Sequence, residues 1–176
     1  MMGRRLVLIC LLTVCVLATV HGQHFGEVII YDSIDERNFM PYELEYYIDK
    51  THALTFHTIS SKQFSNRFSV TPEYQNSDFQ KDASYWIRLP IRHSTHSKKL
   101  WLLEFYDQTI DHLDVYIPKS DGSFHNMTMG DSHPFTDRMF KHKNFEIVLD
   151  MKSDTTLYYY FRIQSHEFAD IRISLR

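Results

Sequence analysis

From Ser84 onward the chain repeats with a period of two. Tyr85, Ile87, Leu89 and Ile91 alternate with Trp86, Arg88 and Arg92. Leu113, Val115 and Ile117 alternate with His112, Asp114 and Tyr116, and Phe145, Ile147 and Leu149 with Glu146 and Val148. Leu157, Tyr159, Phe161 and Ile163 alternate with Tyr158, Tyr160, Arg162 and Gln164, and Ile171, Ile173 and Leu175 close the chain against Arg172, Ser174 and Arg176. Successive side chains of a strand point to opposite faces, so this pattern specifies strands with one buried face and excludes helices. Leu100 to Phe105 is apolar on both faces and reads as a central strand. Turn-forming clusters separate the runs at 94–97, 119–122, 130–134 and 152–154, with Asp121-Gly122 the clearest hairpin turn. Strands this short and this evenly spaced specify an all-β fold, an antiparallel β-sandwich.

The first third is less regular. Glu27 to Tyr31 and Glu43 to Ile48 read as strands, and Thr58 to Phe64 as one short helix capped by Thr58 or Ser60. Asn66 to Lys81 has few apolar residues and reads as a long connection, a kind of loop that is uncommon unless functional or packed on the domain.

The N-terminus does not belong to the sandwich. A basic stretch with Arg4 and Arg5 precedes an apolar run from Leu6 to Val20 and the small residue Gly22. These are the three parts of a secretory signal peptide spanning 1–22. The run is shorter than the roughly 20 residues that cross a bilayer. Both cysteines, Cys10 and Cys15, lie in this leader, so the exported chain is expected to fold on its core alone, without disulfides. Residues 23–40 form an N-terminal strand and lead-in, and 41–176 the sandwich. The full chain has 19 Lys+Arg against 22 Asp+Glu, and losing Arg4 and Arg5 moves its charge from −3 to −5, so no basic surface points to nucleic acid.

The motifs come in a specific order. Asp82-Ala83-Ser84-Tyr85-Trp86-Ile87-Arg88 is followed by Leu100-Trp101-Leu102-Leu103-Glu104-Phe105 and then Leu113-Asp114-Val115-Tyr116-Ile117-Pro118. Met129-Gly130-Asp131, Pro134-Phe135, Arg138 and Leu157-Tyr158-Tyr159-Tyr160-Phe161-Arg162 complete the series. Upstream, a strand from Tyr42 leads to a turn centred on Asp49, and a short helical stretch precedes Phe68. From about Pro41 to Leu175 this order resembles the type 2 extracellular domain of bacterial 7TMR-DISM receptors, seven-transmembrane receptors with diverse intracellular signalling modules. The resemblance implies a jelly-roll-like sandwich, similar to carbohydrate-binding modules, that acts as the non-catalytic sensor input of a membrane receptor. It implies an exported domain in the periplasm or at the cell surface, attached to the inner membrane in full-length relatives, which carry seven membrane helices and a kinase or cyclase output. The chain ends at Arg176, where the first of those helices is expected, so it reads as a receptor fragment or a free-standing secreted domain.

The outward-alternating residues supply a candidate ligand-binding set: Trp86, Arg88, Tyr116, Tyr158, Tyr160 and Arg162. Flat aromatic rings stack on the apolar side of a sugar ring, and arginine offers a rigid fork of donors for its hydroxyls. A carbohydrate or similar small polar molecule is the expected ligand. The competing reading makes the same residues structural, with Trp86 capping a core and Arg88 paired with Asp114 or Glu104. A module for protein–protein contact or homodimer formation is the functional alternative. Asp114 and Arg138 are candidate structural anchors, Arg138 by holding its loop through backbone carbonyls. No cofactor, catalytic group or metal ligand is expected. His93 and His96 lack further ligands in a zinc pattern, Asp121 belongs to a turn, and neither a nucleophile elbow nor a phosphate-binding glycine loop occurs.

Overall fold

A computed structural model describes residues 26–39, 43–70, 79–95, 97–149, 151, 154–167 and 171–176. The expected leader at 1–22 and the boundary at 40/41 lie outside these residues. In chain order the strands are β1 (Val28–Ile30), β2 (Arg37–Phe39), β3 (Glu45–Asp49), β4 (Ser69–Val70), β5 (Ser84–His93), β6 (Trp101–Phe105), β7 (His112–Pro118), β8 (Phe124–Met129), β9 (Phe145–Leu149), β10 (Leu157–Gln164) and β11 (Ile173–Leu175). One short helix, α1 (Phe56–Ile59), falls in the first third.

The strands form two sheets. The wide one runs β4-β3-β5-β10-β7-β8, with β1 added beside β5, and the narrow one runs β2-β11-β6-β9. All pairings are antiparallel except β1 with β5. The chain is therefore the expected antiparallel sandwich. Its core is the inward parity of the alternating runs: Tyr85, Ile87, Leu89 and Ile91 from β5, Leu113 and Val115 from β7, and Tyr159, Phe161 and Ile163 from β10 face Trp101, Leu103, Phe105, Phe145 and Ile147. The Phe105 and Phe161 rings meet edge to face at 5.0 Å across the two sheets.

β5 is ten residues long and shares one edge between two partners. β3 pairs with Ser84–Arg88 and β1 with Ile91–His93. The change of partner spans Pro90, which has no amide hydrogen to give to a ladder. β6 is central in the narrow sheet, between β11 and β9, as its two apolar faces require.

Three local details depart from the sequence reading. The helix starts earlier, at Phe56, because Thr55 is its N-cap and accepts from the Thr58 amide through Oγ1 at 3.4 Å. It ends by Ser60 because Ser61 competes for the backbone, donating to the Thr58 carbonyl at 2.8 Å and accepting from the Phe64 amide at 3.3 Å. Turns occupy the rest of the expected helix to Phe64, and a 3-10 turn at Ser65–Arg67 follows them. β2 and β8 have no strict period-two signal, and β8 is ordered through its hairpin, where Gly122 takes a φ of 82° and Asp121 accepts from the Ser123 amide at 2.9 Å. Of the long connection expected at 66–81, residues 66–70, which include β4, and 79–81 are described and 71–78 are not.

Gly130 closes the loop after β8. Its φ is 152°, and a Cβ there would stand 1.9 Å from the Asp111 carbonyl oxygen. Gly130→Ala is expected to lower stability by about 2–3 kcal/mol through strain and forced backbone movement, a Tm loss of several degrees in a thermal melt for a domain of this size.

Candidate functional site

The register brings the outward parity of the wide sheet into rows. Tyr47, Trp86, Arg162, Asp114 and Thr128 are neighbours across β3, β5, β10, β7 and β8. The next row holds Glu45, Arg88, Tyr160, Tyr116 and Asn126, and Tyr158 lies opposite Pro90 in the row beyond. The structure thus places all six candidate binding residues on one face of one sheet.

Most of that face is covered. Phe56 of α1 stacks on Tyr116 with ring centroids 3.9 Å apart and a 2° interplanar angle. Ile59, Phe64, Phe68, Trp86 and Tyr160 form a second buried cluster, with Tyr47, Leu54, Phe56 and Phe124 packed around it. Trp86 is 0% exposed and Tyr160 6%, so neither presents an open ring to a ligand. Burial, opposed by the neighbouring Arg88 guanidinium, pushes the Tyr160 phenol above its ordinary pKa. The Trp86 indole nitrogen is buried without a hydrogen-bond partner.

The first row is tied internally. Arg162 binds Asp114 at 2.5 Å and lies 5.6 Å over the Trp86 ring, while Thr128 donates to the other Asp114 oxygen at 2.6 Å. Asp114 therefore anchors Arg162, whereas the arginine that sequence reasoning offered it, Arg88, pairs with Glu45 at 2.5 Å. Arg88 also donates to Ser65 at 2.6 Å and lies 4.5 Å over the Phe68 ring. Glu104, the other suggested partner, is on the narrow sheet. Arg138 donates to the His142 and Lys143 carbonyls and lies over the Phe135 and Phe145 rings.

The cover is held at its start by Asp49. One carboxylate oxygen accepts from the Thr51 amide at 3.0 Å and hydroxyl at 2.7 Å, and the other from the Leu54 amide at 2.9 Å. Burial raises the Asp49 carboxyl, and the bonds from Thr51 and Leu54 together overcome this and hold it below the usual aspartate value.

Where the cover ends, the face opens into a cavity of about 410 Å³. It lies over the stretch of β5 where β3 gives way to β1, lined by Gly26, Glu27, Glu45, Ser65, Asn66, Arg88, Pro90, Thr156 and Tyr158. Tyr158 is 45% exposed at its rim. Arg92 donates to Glu27 at 2.9 Å, and Thr156 donates to its second oxygen. Of the six candidates, Arg88 and Tyr158 line this cavity, while Trp86, Tyr116, Tyr160 and Arg162 belong to the covered face beside it. Glu45, Glu27, Ser65, Asn66 and Thr156 escaped the sequence reading. Glu45 had a signal, its outward parity in β3, but only the register showed it opposite Arg88.

These features define an antiparallel β-sandwich whose wide sheet carries a covered aromatic face beside one open polar pocket. The matching family model is 7TMR-DISM extracellular 2, over residues 42–176, and the chain belongs to that family. It is an extracellular sensor domain, the extracellular part of seven-transmembrane receptors. No curated protein matches the chain. No helix among the described residues is long and apolar enough to cross a membrane.

Two outcomes follow. Trp86→Ala removes the centre of the second cluster and is expected to cost about 3–5 kcal/mol in denaturant unfolding. Asp49 has a folded pKa below its unfolded value of about 3.9, so its contribution is complete above that pH and disappears as the pH falls through the folded value. Asp49→Asn is therefore expected to be less stable than wild type at pH 7, with the gap narrowing below about pH 4 in acid unfolding curves.

Proposed function

We propose that this sensor domain binds a small polar ligand, a carbohydrate or a molecule of similar hydroxyl-rich chemistry, in the pocket between Tyr158 and the Arg88–Glu45 pair, and binds it without catalysis. The observation that carries this reading is the composition of the cavity. Its 410 Å³ falls within the roughly 300–1,000 Å³ of small-molecule sites, with an exposed tyrosine ring over planar and hydroxyl hydrogen-bonding groups. The ring offers stacking area at little rotamer cost, and Asn66, Ser65 and Thr156 add donors and acceptors suited to hydroxyls.

Rigidity supports the same reading. Arg88 is held by Glu45, Ser65 and Phe68, so its guanidinium is fixed before a ligand arrives. Binding without turnover is supported by the carboxylates. Glu45 and Glu27 are each engaged by an arginine, Arg88 and Arg92, and do not stand as a free pair of carboxyl groups of the kind that glycoside hydrolysis uses. Ser65 and Asn66 belong to the 54–70 segment that covers Trp86, so a ligand touching them bears on that cover.

A glycan array followed by calorimetry on the hit tests the proposal. Tyr158→Ala is expected to weaken binding at least tenfold while leaving the melting temperature within about 2 °C of wild type, because the ring is half exposed. Unchanged affinity in that variant, or silence across the glycan array, overturns the reading.

A further inference from the structure

The narrow sheet carries a second constellation, on the face turned away from the core. Glu104 of β6 and Glu146 of β9 are directly opposite each other in the ladder. Both are buried, at 2% and 8% exposure. Like charges directly opposite in a sheet repel, and burial magnifies the repulsion. The loop leading into β9 brings His142 over them. Its Nδ1 lies 3.9 Å from a Glu104 oxygen and 3.5 Å from a Glu146 oxygen, and ligand atoms of all three residues lie within 4.8 Å of one another.

The backbone amide of Asn144 donates to His142 Nδ1 at 3.3 Å, which ties the ring to the start of β9. A second, separate observation concerns Asn144 itself. Its side chain is 5% exposed, its amide nitrogen donates to Glu104 at 2.6 Å, and its amide oxygen is buried with no hydrogen-bond partner. A buried carbonyl without a partner is destabilising unless a donor or a cation meets its lone pairs.

We infer that Glu104, His142 and Glu146 form a binding site for a borderline divalent cation of the Zn²⁺ type, with Asn144 hydrogen-bonded to Glu104 beside it. Bond lengths of about 2.1 Å in tetrahedral geometry separate ligand atoms by roughly 3.4 Å, which is close to the spacing around His142. An imidazole with two carboxylates selects zinc-like ions, whereas calcium and magnesium take all-oxygen sets. Glu104 and Glu146 come from paired strands and give a rigid base, while His142, on a half-exposed loop, closes the site by a small side-chain movement.

Arg176 is the competitor. Its guanidinium contacts Glu146 and lies 3.5 Å from Glu104, neutralising the carboxylates that the cation requires. Its side chain is 43% exposed and has room to swing outward. The site thus has two exclusive partners, the arginine and the cation. The pocket of the wide sheet is not involved, so the two proposals stand or fall separately.

The experiment is a titration of the chain with Zn²⁺, read as stoichiometry and Kd by calorimetry, with Ca²⁺ as a parallel arm. The expected result is one Zn²⁺ bound per chain through this site and no comparable Ca²⁺ binding. His142→Ala, a surface change that spares the fold, is expected to abolish that binding event or weaken it at least tenfold, and Glu146→Gln to do the same. Arg176→Gln is expected to tighten Zn²⁺ binding about tenfold by removing the competing charge. His133→Ala, altering a histidine outside the cluster, is expected to leave it unchanged. Absence of Zn²⁺ uptake by the wild type, unaltered uptake by His142→Ala, or a preference for Ca²⁺ overturns the inference.

Discussion

The wide sheet depends on the register in which β10 lies between β5 and β7. Seven residues of β10 pair with β5 and five with β7, and they fix the parity of the three strands together. A slip of one residue would send Tyr159, Phe161 and Ile163 out of the main core and Tyr160 and Arg162 into it. The inward apolar residues hold the register because they alone can fill the space against the narrow sheet. The arrangement on the outer face is a consequence of that packing.

The outer face shows how one set of residues can look like a binding platform and serve as a second core. Trp86, Tyr116 and Tyr160 are large, aromatic and outward in parity, and a bare sheet would expose them. The chain instead spends residues 54–70 on covering them, with Phe56, Ile59, Phe64 and Phe68 supplying the apolar undersurface. Burying such rings removes a large apolar area from water, worth about 1.5–3 kcal/mol for each fully buried side chain. Arg88 lies at the border of that cover. Its stem and guanidinium plane meet Phe68, its charge is met by Glu45, and its far side opens to the pocket, so one residue joins the covered cluster to the open cavity.

The two proposed sites arise differently, one at a break in a sheet and one where a loop lies over a regular ladder. The pocket forms where β5 changes partner across Pro90, leaving room between the start of β3 at Glu45 and the start of β1 at Val28. The cation site forms where the 130–144 loop folds back over the narrow sheet, held by Arg138 on the His142 and Lys143 carbonyls. Much of this was legible at low resolution. The alternation in β5, β7, β9 and β10 revealed the fold class and which side chains point outward, and the turn clusters located the connections. Strand partners escaped the sequence reading, because Glu45 and Arg88 are forty-three positions apart and only the register makes them neighbours. The Glu104–Glu146 pair was invisible for the same reason, and the reading expected no metal ligands from the chain.

By itself the sequence determined the alternation, and with it the two faces of each strand, the sandwich class and the family order of motifs. These are local properties: a strand's parity is set by its own residues and the oil–water preference of each side chain. The tertiary structure decided which outward residues are reachable. That depends on whether a distant segment has enough apolar surface to lie over them, and here the 54–70 segment covers Trp86, Tyr116 and Tyr160 and stops short of Tyr158. Exposure is a property of what packs on a face, so it was settled only when the whole chain came together.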